Sequence, residues 1–236
     1  MPFQALSGLM LMIGKVLHGC LCCGCYSGSV DQSTRLIVEN EVSVEALKAV
    51  LLAGGASRRM GQDKALMPHP GGGVWLTALV RILQHVGLPV TVLTRHASHA
   101  QVLSALAGVE MALEPEPWKG PLMALGKVLS DKKGSPLLVC PVDMPLLTVP
   151  AVQLLIEAWI TQPDAVAVAD DGERLQPLLA IIPSGPPVQP ILRRCLASGE
   201  LRWLTWLSQV PHQRVRLPVD ALVNVNGPED LSALVP

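Results

Sequence analysis

Ala49-Val50-Leu51-Leu52-Ala53-Gly54-Gly55-Ala56-Ser57-Arg58-Arg59-Met60-Gly61-Gln62-Asp63-Lys64 takes an apolar run directly into a glycine-rich, basic loop. Ala49 to Leu52 have the character of a buried parallel strand. Gly54 and Gly55 end it, because glycine reaches backbone angles closed to residues with a Cβ. Amides in such a loop are not screened by side chains, so several N–H groups can point at one anion, and Arg58, Arg59 and Lys64 add positive charge. The loop reads as a phosphate site. A turn that merely reverses the chain is the plainer alternative, but such a turn rarely needs two glycines, three basic residues and a further glycine within a dozen positions.

Two familiar phosphate loops fail here on spacing. A P-loop needs Gly-x-x-x-x-Gly-Lys-Ser/Thr, whereas five residues separate Gly55 from Gly61 and the lysine follows only after Gln62-Asp63. A dinucleotide fingerprint needs Gly-x-Gly-x-x-Gly opening into a helix, which Gly54-Gly55-Ala56 does not supply.

The chain around this loop has 236 residues, half of them apolar, enough for one sizeable α/β core. A net charge of −1 gives no global attraction to nucleic acid or to an anionic membrane, so phosphate recognition must be local. One Phe and one Tyr argue against base-stacking platforms, and the five Trp read as core or rim residues. Cys140 and Cys195 look like buried thiols. Cys20, Cys22, Cys23 and Cys25 are denser than a usual zinc site, and no His pair follows at finger spacing. Residues 1–46 are expected to be a disordered leader or a mis-assigned start, the true start lying near residue 45, and residues 47–236 a single domain. The apolar run Ala5 to Ile13 is too short to span a bilayer, and no positive segment precedes it.

From Lys48 onward short apolar runs alternate with helix-length segments, the βαβ rhythm. Val74 to Val86 carries Leu76, Leu79, Val80 and Leu83 on one helical stripe, closed by Gly87. Val90 to Leu93 is a second strand, Ser98 to Leu106 a helix, Val109 to Leu113 a third strand, residues 115–121 a stiff loop, and Leu122 to Leu129 a helix. Leu137 to Cys140 is a buried strand that delivers Asp143 at its carboxyl end, where ligands bind in open parallel sheets. If this strand neighbours the first, Asp143 faces the glycine loop. A helix capped by Thr148 follows, then a hairpin of Ala165 to Ala169 with Gln176 to Ile182, helices over Pro187 to Leu196 and Leu201 to Leu207, and a last strand, Leu222 to Val225. His69, His85, His96 and His99 show no metal spacing and read as solvated.

Four anchors, Leu52 to Lys64, Pro141-x-Asp143-Met144-Pro145-x-Leu147, Asp171-Gly172-Glu173-Arg174 with Gln176-Pro177, and Asn224-Val225-Asn226-x-Pro228, resemble in order the molybdenum cofactor guanylyltransferase family. Thr94-Arg95, where the family more typically has an asparagine, and Ala124, where a glycine is common, depart from it. The resemblance implies a three-layer, Rossmann-like α/β nucleotidyltransferase fold, a mostly parallel sheet with helices on both faces. It also implies a cytoplasmic enzyme that joins GMP from GTP to the terminal phosphate of molybdopterin, releases pyrophosphate, and supplies molybdoenzymes, with no nucleic-acid or membrane partner. The attacking phosphate oxygen is already ionised, so no Ser-His-Asp device is needed. The triphosphate charge must instead be neutralised. Asp143 is the candidate Mg²⁺ ligand, Lys64 and Arg59 lie against the phosphates, and Leu52, Ala53, Gly54, Gly55 and Ser57 complete the nucleotide site. Asn226 is assigned near the metal or the pterin phosphate, and Asp171 and Arg174 to the acceptor by likeness alone. Asp143 can also simply close a turn through an Asx hydrogen bond, and Asp171-Gly172 can be a plain hairpin turn. A sister transferase using another triphosphate or acceptor, such as a molybdopterin cytidylyltransferase or a sugar-phosphate nucleotidyltransferase, remains an alternative, although cytidine-type relatives tend to carry Ala before the second glycine. So does a carrier that binds the pterin without catalysis.

Overall fold

Ala49 and Leu51 point into one buried cluster and Val50 into another, because successive side chains of a strand face opposite ways. A strand buried on both faces belongs in the middle of a sheet with helices above and below. The computed structural model, which describes residues 47–114, 116, 120–131 and 134–234, has that arrangement. β1 (Lys48–Leu52) is followed by α1 (Trp75–His85), β2 (Val90–Thr94), α2 (His99–Leu103), β3 (Val109–Leu113), α3 (Pro121–Asp131) and β4 (Leu137–Pro141). Then come α4 (Val149–Thr161), the hairpin β5 (Val166–Asp170) and β6 (Leu175–Ile182), α5 (Val188–Ser198), α6 (Trp203–Leu207) and β7 (His212–Arg216).

The seven strands run in the order β3-β2-β1-β4-β6-β5-β7. Only the pairs that include β6 are antiparallel. The α1 stripe predicted from Leu76, Leu79, Val80 and Leu83 is buried on one face, together with Val152, Leu155 and Trp159 of α4. Leu122 and Leu125 of α3, Leu192 of α5 and Trp206 of α6 cover the other. The three layers follow from this alternation. Burying one such leucine is worth about 1.5–3 kcal/mol, so either face of β1 is strongly committed.

After β3 the chain returns to the opposite side of β1 to lay down β4, and strand order reverses between β1 and β4. Leu52 pairs with Pro141, and Val142 N–H donates to the Leu52 carbonyl at 3.0 Å, so the glycine loop and Asp143 leave the sheet side by side. Thr148 caps α4 as expected, its hydroxyl accepting from Ala151 N–H.

Several expectations are corrected. Leu222 to Val225 is not a strand. Val219–Leu222 forms a 3₁₀ turn, and the backbone of Val225 bonds to the site rather than to a ladder: its N–H donates to the Asp143 carbonyl at 2.9 Å. The seventh strand is instead β7, an edge segment that buries only Val215. α2 is shorter than predicted because Ser104 already caps it. His99 is fully buried, not solvated, and His69 and His96 are half-buried, leaving His85 as the exposed member of the four. The leader, its cysteines and most of the 115–119 loop lie outside the described residues.

Candidate active site

The carboxyl ends of β1, β2, β3 and β4 open onto one cavity of about 350 Å³. Leu52, Ala53, Gly54, Gly55, Ser57, Lys64 and Asp143 all line it, as do Asp63, Arg95 and Glu114. Sheet order places Glu114 and Asp143 three inter-strand spacings apart, about 14 Å at the backbone. The cavity is therefore elongated across the strand ends.

The loop is built locally. Ser57 adopts a φ of 46°, unusual for a residue with a side chain, and its hydroxyl accepts from Lys64 N–H at 3.2 Å. Gly61, at φ 66°, supplies a second left-handed turn where glycine carries no steric penalty. Asp63 accepts from Ala65 N–H at 3.0 Å and so caps the 3₁₀ turn Lys64–Leu66. Beneath it, Met60, Met67, Trp75 and Val225 form a small apolar cluster that pins the loop base to the C-terminal segment.

Lys64 extends its ammonium to the Val225 carbonyl at 2.7 Å and to Asn226 Oδ1 at 3.2 Å. Burial lowers its pKa from the usual 10.5, the Asp143 charge opposing and the Arg59 charge reinforcing that shift. Asp143 shifts the other way. Burial raises its carboxyl pKa above 3.8 despite the neighbouring Lys64 charge, so the carboxylate is short of positive charge. Among the described residues no three His, Cys, Asp or Glu side chains gather as a metal cage. A metal here would rest on Asp143 and on a substrate's own oxygens.

The remaining assigned residues stand outside the cavity lining. Arg59 is exposed on the loop, and its charge acts on Lys64 and Asp230. Asn226 is exposed, with its N–H on Asp230 Oδ2 at 2.6 Å. Asp171 accepts from Glu173 N–H, Arg174 N–H and Gln176 Nε2, the bonding of a hairpin turn, and Arg174 is exposed beside it. Asn224 donates to Gln176 Oε1 and so ties the C-terminal segment to that hairpin.

Glu114 escaped the sequence reading, since a lone carboxylate ahead of a proline-rich loop has no spacing signature. Its position one residue past β3, at the ligand-binding edge of the sheet, is the signal that could have found it. Burial raises its pKa above 4.5, Arg95 and His96 opposing. Its carboxylate lies over Gly54: a Cβ built there would sit 1.9 Å from Oε1.

Residues 49–212 match the MobA-like NTP transferase domain. The chain belongs to this family. It is a nucleotidyltransferase. Among relatives, the probable molybdenum cofactor guanylyltransferase of Rhodopirellula baltica is 35% identical over 191 residues, covering 78% of this chain and 90% of that one. The molybdenum cofactor guanylyltransferase of Shewanella amazonensis is 32% identical over 192 residues, 80% and 95% of the two chains. In fold, the family likeness extends to the crystal structure of molybdopterin-guanine dinucleotide biosynthesis protein A from Archaeoglobus fulgidus. That structure has a TM-score of 0.62 at 19% identity and covers 79% of this chain and 96% of its own. Among the described residues, no helix is long and apolar enough to cross a membrane.

Proposed function

We propose that this chain transfers GMP from GTP to the terminal phosphate of molybdopterin, as the names of its relatives suggest, and that its product serves molybdoenzymes. The observation that carries this reading is one cavity with two chemically distinct ends. Lys64 and Asp143 line the β4 side, while Glu114 reaches in from the end of β3 and lays its carboxylate over Gly54 at the start of the glycine turn.

The Glu114 end favours guanine. Guanine presents two adjacent donors, N1–H and N2–H, and a carboxylate offers two acceptor oxygens at matching spacing. Cytosine and adenine each present a donor beside an acceptor and leave one carboxylate oxygen facing a lone pair. Gly54 supports the same choice geometrically, because an alanine there would put its methyl into the space the Glu114 carboxylate occupies.

At the other end, the amides of Gly54 and Gly55 and the Lys64 ammonium would hold the triphosphate, with Arg59 adding to the field from the loop surface. Asp143 would hold Mg²⁺. Its half-buried carboxylate, facing the cavity at the carboxyl end of β4, fits a cation that takes one or two carboxylates plus phosphate oxygens. When bound, the ion supplies neutralisation of the triphosphate charge. An oxygen of the molybdopterin phosphate forms the new bond to the α-phosphorus, the bond to the bridging oxygen breaks, and pyrophosphate departs with that electron pair. No proton has to be removed from the attacking oxygen. The cavity's task is to bring two anions together and to retain the leaving group, the part assigned here to Lys64. Asn226, Asp171 and Arg174 stay assigned to the acceptor side.

Pyrophosphate release is the test, measured with each of the four ribonucleoside triphosphates, Mg²⁺ and molybdopterin. Release with GTP alone among the four, and only when molybdopterin is present, is the expected pattern. Preferential release with CTP would make the chain a cytidylyltransferase, and tight pterin binding without release would make it a carrier.

A further inference from the structure

His99 has no role in the reaction as described, yet it is fully buried and both ring nitrogens are engaged. Nε2 lies 2.7 Å from Asp63 Oδ2, and Nδ1 lies 3.0 Å from the Thr94 hydroxyl. A buried imidazole held at both ends specifies orientation, since leaving either end unpaired would cost about 1–3 kcal/mol. The two partners belong to different parts of the site. Thr94 ends β2, whereas Asp63 caps the turn that carries Lys64.

The direction of donation can be followed atom by atom. His96 N–H donates to Thr94 Oγ1 at 3.0 Å, so that oxygen is already an acceptor. At the other end of the ring the Asp63 carboxylate oxygen, 2.7 Å from Nε2, can only accept, so in the neutral ring Nδ1 is the acceptor and the Thr94 hydroxyl donates to it at 3.0 Å. The ring hydrogen accordingly sits on Nε2 and is donated to Asp63. Asp63 Oδ2 receives it while Oδ1 receives Ala65 N–H at 3.0 Å. One carboxylate thus joins the end of β2 to the residue after Lys64.

We propose that His99 is a positioning residue for the phosphate loop: by holding Asp63, it keeps the turn Lys64–Leu66 and the Lys64 ammonium in their triphosphate-binding places. This rests on the reading of the loop as the GTP phosphate site. It adds that the organising contact comes from a histidine 36 residues away in sequence. The threonine at the end of β2 serves the same arrangement, for its hydroxyl holds the other side of the ring.

Two near-isosteric variants separate this role from general packing. In H99Q the amide nitrogen can reach the place of Nε2 and still donate to Asp63. In H99N the amide reaches only the place of Nδ1, beside Thr94. GTP binding measured by calorimetry without acceptor, alongside the thermal midpoint of each variant, gives the comparison. About a tenfold weaker Kd is expected for H99N, the loss of roughly one hydrogen bond, while H99Q stays within about threefold of the parent. Equal Kd values for the two variants would overturn the proposal, whatever their midpoints. If neither variant folds, ¹⁵N shifts of the His99 ring in the parent protein decide instead: a hydrogen on Nε2 supports the relay, and one on Nδ1 alone refutes it. Failure of the parent itself to bind GTP would instead sink the reading of the loop.

Discussion

Replacing Glu114 with glutamine keeps the shape of the side chain and removes one of its two acceptors. On the proposed reading both carboxylate oxygens would accept from the N1–H and N2–H donors of guanine, and a hydrogen bond to a charged group contributes about 1.5–3 kcal/mol. The glutamine amide keeps one acceptor, now neutral, and turns an N–H toward a guanine donor. The expected loss is about 2–3 kcal/mol, or about 30- to 150-fold in kcat/KM for GTP at 1.36 kcal/mol per tenfold. CTP should change by less than about threefold, because the amide is no worse a partner for its mixed edge. The pH profile adds a second readout. Because burial raises the Glu114 pKa above 4.5, acidification should protonate it before an ordinary glutamate, and the ratio of GTP to CTP turnover should fall at that higher pH in the parent but not in E114Q, the Asp143 titration being common to both nucleotides. Pyrophosphate release with GTP and CTP across pH measures both effects. GTP turnover within about threefold of the parent, or equal losses for GTP and CTP, would refute the guanine assignment.

Asp143→Ala should lose at least about 10²-fold in turnover, and full activity in a pyrophosphate assay would remove Asp143 from the metal site. Gly54→Ala is expected to displace the Glu114 carboxylate and lower kcat/KM for GTP about tenfold while sparing CTP; an unchanged GTP to CTP ratio would contradict it. Asp170, which accepts from Gly172 N–H and pairs with Arg214, has a pKa held below 3.8 chiefly by that arginine. A depressed folded pKa gives stability that is present above 3.8 and lost as pH falls through the lower folded value. Arg214→Ala should therefore flatten the dependence of Tm on pH below about 4, and an unchanged slope would show the pair to be inert.

β1 and its loop were legible because everything needed is local: an apolar run, then glycines, then cations. The position of Asp143 also followed, since a carboxylate after a buried strand falls at the ligand edge and the β1–β4 pairing brings it to the loop. Elements with weak local signals were missed. β7, His-Gln-Arg-Val-Arg, is mostly polar because it is an edge strand, and only its pairing with β5 makes it one. Leu222 to Val225 has strand composition, but its backbone polar groups are claimed by Lys64 and Asp143. His99 read as solvated because its partner Asp63 is distant in sequence, and no spacing rule links them. Glu114 stayed hidden for the same reason, as its significance comes from lying over Gly54.

The most direct test of the central claim is transfer of label from [α-³²P]GTP to molybdopterin. Label should pass to the pterin with one pyrophosphate released per transfer, and it should fail to do so in the Asp143→Ala protein. Label that stays in GTP, or appears as free GMP whether or not molybdopterin is present, would contradict the account.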